Sequence, residues 1–586
     1  MLKLIDTYYE NVYNATLLLH KESLLESLAV GSIRPHVVMS VCAWGANFHQ
    51  DPSGRTALKD DGFMFEWAQR AGLLVFQDAE KLYEDNIVTF LNLALFWHSQ
   101  GSWRVSLLHK GNAYQVLQIR GIGPETPGVD SSFEAEVRRR RFWACYLMYC
   151  HTGDDLSAFQ SIANTQNLSL PWPEGDFHAR VSRGQKTVLG HAQESTSIYA
   201  ETVRIMTIWS SIVALIKSPE AELTSQRISR IYALDEELSV WWRTLKAEFK
   251  LNLEHKNPNP LKSDDTFPKL LLINVIYHQS LCALHASIVP LFCWTAGDDN
   301  WAKVRKLSAQ TAFDHACAAS VLINATLVSY KKLSTMSLFI AYAAYCGYAI
   351  QLPFLWCSNP MVREQVRTNL GANLRMIDVM TKYWRYAPLL KLYARCLYNV
   401  HKKYPSPLED IPSAIDITRL IRIPFTSSAA RVSILDFIGI LWTTSDGYTE
   451  PGEEVVDLEI DPHNSGSGSQ ADETTDVSIQ DPDSDDLAIQ DSAPDVFTDP
   501  LLAMQLVRDN RSVAIEGQSE DLGRLPTNFA SVSIPQDLIS PATESRPLDI
   551  LQPFLQSDLL DLFPTGDMIE FSLPELEHLG LNRTDG

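Results

Sequence analysis

Apolar residues recur at three- and four-residue steps through most of the first 404 residues, which is the repeat of one helix face. In Leu4–Leu28, Ile5, Tyr8, Tyr9 and Val12 make one such face, and Leu24, Leu25 and Leu28 begin the next. The same pattern predicts helices over Val37–Ala46, Gly62–Ala71, Ala79–Trp97, Leu107–Ile122, Glu134–Tyr149, Tyr199–Ile216 and Ser229–Phe249. Further helices are expected over Leu270–Leu291, around Leu322–Leu327, and over Val362–Tyr386 and Leu389–Tyr404. No sustained two-residue alternation and no fixed-period repeat interrupts this series, so the expected fold class is all-α.

One predicted helix stands out. Glu134–Tyr149 reads EAEVRRRRFWACYLMY: acids first, then four arginines, then Phe142, Cys145, Tyr146 and Tyr149 on a common face. Acids in the first turn suit the helix dipole. Glu134 can face Arg138, and Glu136 can face Arg139 or Arg140, at the spacings where helical side chains meet. The expectation is an arginine-rich first half whose face is solvated or ion-paired, and a buried second half. Gly111 and Ala113 are small enough for close helix approach, and Gly121 is a natural helix stop.

These stretches resemble the middle homology region of fungal transcription factors of the binuclear zinc cluster family. The resemblance rests on Glu136, Arg138, Arg139, Arg140 and Trp143, on Trp103, Gly111, Ala113 and Gly121, and on Leu170 and Pro171 in the following loop. It departs from the family pattern at Tyr149–Cys150, where an acid and a base are usual, and at Gln115 and Leu117. Weaker points of likeness are Leu19–His20, Leu234, Leu238 and Trp241, Tyr277–His278 with Leu284–His285, and Cys317–Ala319. The likeness runs from about Leu4 to Tyr404 and begins within three residues of Met1. It implies a transcription regulator, an activator of fungal metabolic or secondary-metabolite genes, working in the nucleus as a homo- or heterodimer. The six closely spaced cysteines of the family's DNA reader do not occur in these residues. DNA contact therefore needs a cluster upstream or a zinc-cluster partner, the latter making this chain a co-regulator.

Charge changes the picture beyond residue 404. The last 136 residues hold 29 of the 71 acids and 5 of the 49 bases, so the net charge of -22 belongs to the tail. Residues 405–442 are a proline-punctuated extension with one apolar segment, Val432–Trp442. Residues 443–547 lack the apolar content to offset ordering entropy and are expected to be a disordered acidic linker. Residues 548–586 turn acidic-hydrophobic, with Leu559, Leu562 and Phe563, then Met568 and Phe571, then Leu576 at helical spacings. Such short amphipathic segments fit apolar grooves on coactivators, or dock back on the chain's own body.

Other chemistry is scarce. Nine scattered cysteines without a C-x-x-C pair suit a reducing compartment, and no secretory signal pattern opens the chain. Leu333–Val362 carries no charge, but its serines, asparagine, glutamine and Pro353 favour a buried core helix over a membrane span. His278 and His285 lack further ligands on their helix face and are expected to be packed. No G-x-S-x-G, H-E-x-x-H, phosphate loop or dinucleotide fingerprint is present. Asp154–Asp155 lacks the third acid of a diphosphate-binding cluster, so neither catalytic residues nor a metal or cofactor is assigned.

Overall fold

The computed structural model describes residues 1–123, 132–154, 156–162, 165–183, 187–190, 194–217, 224–251, 266–293, 301–385, 387–403 and 405–420. Nineteen α-helices lie among them. The first group is α1 (Leu2–Asn11), α2 (Ala15–Leu18), α3 (Lys21–Ala29), α4 (Pro35–Phe48), α5 (Ala57–Asp60) and α6 (Phe63–Gln77). Next come α7 (Glu84–Ser99), α8 (Trp103–Arg120), α9 (Phe133–Thr152), α10 (Ser157–Ile162) and α11 (Glu174–His178). The third group is α12 (Ile198–Lys217), α13 (Thr224–Thr244), α14 (Phe267–Ala286), α15 (Pro290–Cys293) and α16 (Ala302–Ser329). The series closes with α17 (Leu338–Gln351), α18 (Pro360–Thr381) and α19 (Ala387–Lys403). The all-α expectation holds: among the described residues the single β pairing is an isolated antiparallel bridge between Ser169 and Val188.

Helix packing forms two neighbourhoods joined by α9 and α12. In the first, α4 packs on α1, α6 and α7, and α7 on α8. In the second, α14, α16, α17 and α18 pack on one another, with α12 against α14. One continuous apolar core runs through both, from Ile5 and Tyr8 to Leu408, Ile415 and Leu420. Residues 405–420 are tied to the body: Ser358 and Asn359 donate backbone N–H groups to Leu408 and Glu409 at 3.0 and 3.1 Å.

The uncharged stretch is largely buried from Thr335 to Cys357 but exposed at Ser358, Pro360 and Met361, and it is not one helix. Ser337 caps α17, Pro353 opens a short 3-10 turn over Leu352–Trp356, and Asn359 caps α18. Proline has no N–H to continue the α-helical ladder, which explains the break. Gln351 at its end is fully buried yet satisfied, donating to Ser320 Oγ at 2.8 Å and accepting from Asn369 at 2.8 Å. Among the described residues three helical spans are long and apolar enough to cross a membrane: Ile198–Lys217, Ala302–Ser329 and Leu338–Trp356. The first and third lie mostly inside the protein, and the second is half covered.

Two glycine expectations separate. Gly121 ends α8 in the left-handed region at φ 63°. There the Ile122 N–H bonds to Leu117 O at 3.0 Å and the Gly121 N–H to Gln118 O at 3.1 Å, a Schellman stop. Gly111 does not mediate close approach, because a Cβ built there meets nothing within 4 Å. That role belongs to Gly45 on α4, where a Cβ would lie 2.4 Å from the Leu4 carbonyl oxygen of α1.

Candidate functional site

The centre of the fold is the arginine-rich half of α9, and it is buried. Ser132 caps the helix, its Oγ accepting from the Ala135 N–H at 3.2 Å, and Glu134 and Glu136 lie in the first turn. Glu136 is fully buried, Arg140 is 1 % exposed, and Arg139 and Arg141 are also buried. Of the two alternatives, solvation fails for Arg139, Arg140 and Arg141, and ion pairing holds for all three. Only Arg138 points outward, and it pairs with Glu84 at 3.1 Å. The reason is tertiary: acids on other elements cover the positive face.

Arg140 acts as a clamp. Its Nε donates to Glu136 Oε1 at 2.8 Å, and its Nη1 to Glu174 Oε1 at 2.7 Å and Thr16 O at 3.2 Å. Nη2 donates to Trp172 O at 2.8 Å, while the guanidinium lies 3.7 Å from the Phe177 ring centre. Glu136 Oε1 also accepts the Trp172 N–H at 2.8 Å, and Oε2 accepts from Arg139. Glu174 Oε2 accepts from the Thr16 hydroxyl at 2.9 Å, and the Tyr199 hydroxyl donates to Tyr13 O at 2.8 Å. One guanidinium thus fixes α2, α9, the 170–173 loop and α11.

Electrostatics follow from this burial. Burial opposes charge on Glu174, but Arg140 and Lys269 overcome it and hold its carboxyl below the usual carboxylate range. Burial likewise opposes charge on Arg140, and Glu174 and Glu136 raise its pKa in spite of it. At Glu136 burial prevails over Arg140 and Arg139, and its pKa is raised. Breaking such a pair from one side leaves an uncompensated interior charge.

The predicted motif residues divide into two sets. Glu136, Arg139, Arg140, Leu170 and Pro171 meet at the clamp, and Trp143 joins them by donating its indole N–H to Ser169 O at 2.9 Å. Trp103, Gly111, Ala113 and Gly121 instead build α8, with Trp103 and Ala113 buried. Sequence reasoning missed Thr16, Glu174 and Tyr199, whose only signal was an acid and aromatics near the quoted loop. It also missed buried Lys110, which donates to Thr152 Oγ1 at 2.7 Å and pairs with Asp154. The histidine expectation stands in outline: His278 Nδ1 lies 2.8 Å from His315 Nδ1, and His285 Nδ1 lies 3.1 Å from Ser308 Oγ. The tail positions Leu559, Leu562, Phe563, Met568, Phe571 and Leu576, like Val432–Trp442, lie outside the described residues.

Beside the clamp opens a cavity of about 470 Å³, lined by Arg139, Leu170, Pro171, Trp172, Asp176 and Ser197 among others. Its walls offer hydroxyls, one guanidinium and the carboxylates of Asp176 and Glu194.

Residues 5–243 match the family described as fungal specific transcription factor domain. The clamp's Thr16, Glu136, Arg140, Glu174 and Tyr199 all fall inside the matched residues. Among its relatives is the Zn(2)-C6 fungal-type transcription factor FTF1c of Fusarium oxysporum f. sp. lycopersici, 24% identical over 461 residues, which are 71% of this chain and 46% of that protein. FTF2 of the same organism is 24% identical over 69% of this chain and 40% of its own length. An uncharacterized transcriptional regulatory protein of Schizosaccharomyces pombe is 22% identical over 65% of this chain and 49% of its own. The chain thus spans less than half the length of these curated relatives. No solved structure matches it.

Proposed function

We propose that the protein is a nuclear transcription regulator, and specifically an activator. The fungal transcription factor domain carries this reading, and the relatives' names support it. In this account the helical body is the regulatory and dimerising part, with the cavity beside Arg139 as a place for a small effector. The acidic tail recruits coactivators through Leu559, Leu562, Phe563, Met568, Phe571 and Leu576, folding into apolar grooves while its charge speeds encounter. The genes served are metabolic ones.

A fusion of the full chain, and separately of residues 443–586, to an unrelated DNA-binding module should raise reporter transcription. Alanine at Leu559, Leu562 and Phe563 together should abolish most of it. A well-expressed nuclear fusion with no activation would sink the activator reading and turn attention to repression.

A second reading has its own observation. The nine cysteines lie far apart, so these 586 residues hold no binuclear zinc cluster. DNA contact would then come through a zinc-cluster partner or from protein outside this sequence. Co-purification of such a partner on promoter DNA separates the two routes.

A further inference from the structure

We infer that His20, Glu22 and His178 form a binding site for a divalent transition-metal ion of the zinc class, joining the start of α3 to the end of α11. One donor atom from each residue lies within 4.8 Å of the others. Glu22 Oε2 stands between the rings, 3.1 Å from His20 Nε2 and 3.8 Å from His178 Nδ1.

His20 is the built part of the site. It is 3 % exposed, and its buried Nε2 faces the Glu22 carboxylate and the His178 end of α11. Phe133 and Phe177 hold the ring edge-on, each with its centre 4.9 Å away. The other two donors are adjustable, with side chains about half exposed. A tetrahedral zinc with bonds of about 2.0–2.1 Å needs donors roughly 3.4 Å apart, so surface rotamer changes of Glu22 and His178 suffice to close the set. Two imidazoles, one carboxylate and a solvent-facing fourth position suit zinc, whereas magnesium or calcium prefers all-oxygen cages. The neighbouring positive charge of Arg180 is engaged by Glu26 at 2.7 and 2.8 Å.

The protons balance without an added reactant. In the empty site His20 Nδ1 accepts the Ser23 N–H at 3.2 Å, which leaves the ring proton on Nε2. When the metal takes the Nε2 lone pair, that proton passes through water to Nδ1, which gives up the Ser23 N–H as a donor and instead donates to Ser23 Oγ at 3.0 Å. The serine then orients the ligand ring from behind. The ion would staple α3 to α11, the helix that brings Glu174 to Arg140. Metal availability would thereby set how firmly the loop beside the cavity is held.

The test titrates Zn²⁺, with Mg²⁺ as comparison, into the full chain by calorimetry and follows thermal unfolding. Co²⁺ loading reports ligand geometry by its visible absorption. Partly exposed His178→Ala and Glu22→Gln should fold as the parent does, which the metal-free melting curve checks. Each should weaken Zn²⁺ binding at least about tenfold, and each should lose the zinc-induced rise in Tm, while His49→Ala changes neither. Absence of Zn²⁺ binding to the parent, or binding unchanged in both site variants, would overturn the assignment.

Discussion

Arg140 places three guanidinium nitrogens on four acceptors drawn from two other chain segments and its own helix. Arg140→Ala strands Glu136 and Glu174 without their common partner, and stability should fall by about 3–5 kcal/mol. Arg140→Lys keeps the charge but not the planar fork, so its melting temperature should lie between those of the parent and the alanine variant. Arg138→Ala, on the exposed side of the same helix, should cost about 1 kcal/mol or less. Thermal unfolding of the three variants side by side checks the contrast. Helical spacing made the Glu136–Arg139 and Glu136–Arg140 pairs legible in the sequence. It could not reveal Glu174 or the Trp172 carbonyl, because nothing local says which distant loop closes over a helix face. The same blindness made the arginines look solvated.

At the level of elements, Gly121 was legible as a helix stop, whereas Gly111 was misassigned as a point of close approach. Gly111 sits in the interior of α8 facing open space, so Gly111→Ala should stabilise the protein by about 0.4–1 kcal/mol through lower chain entropy. Gly45→Ala should do the reverse, because its Cβ would collide with the Leu4 carbonyl and push α1 off α4. Chemical denaturation midpoints of the two variants, shifting in opposite directions, would verify this. Most helices were legible from periodicity, with ends displaced by caps: Pro35 opens α4, and Leu82 in a left-handed conformation delays α7 to Glu84. The 28 residues of α16 were underestimated, since only part of its surface is buried and its apolar pattern is weak.

For the molecule as a whole, buried histidines set the response to acid. Burial lowers His98 and His109 to about 3, and His151 and His401 to about 4. Their folded pKa values are depressed, so between about 6.5 and 4 the unfolded chain binds more protons than the folded one. Stability is then lost as pH falls through that window, at up to roughly 1.4 kcal/mol per pH unit for each histidine. Glu136 and Glu201, raised by burial, return part of this at the acid end. Melting temperature between pH 7.5 and 4.5 should drop steeply, and His401→Gln should flatten the slope. None of this was visible beforehand, because an isolated histidine in a sequence does not declare its depth.

The clamp also sets a timetable. Lys269, which helps hold the charge on Glu174, is made long after Arg140. At 5–20 residues per second the ribosome needs roughly 6–26 s to travel between them. For most of that interval the nascent chain holds Arg140, Glu136 and Glu174 without Lys269, and α12 waits for α14. A cut at residue 243, where the family match ends, would freeze the polypeptide in that unfinished condition. Fragments meant for expression should therefore run at least to Leu420, the last described residue of the common core.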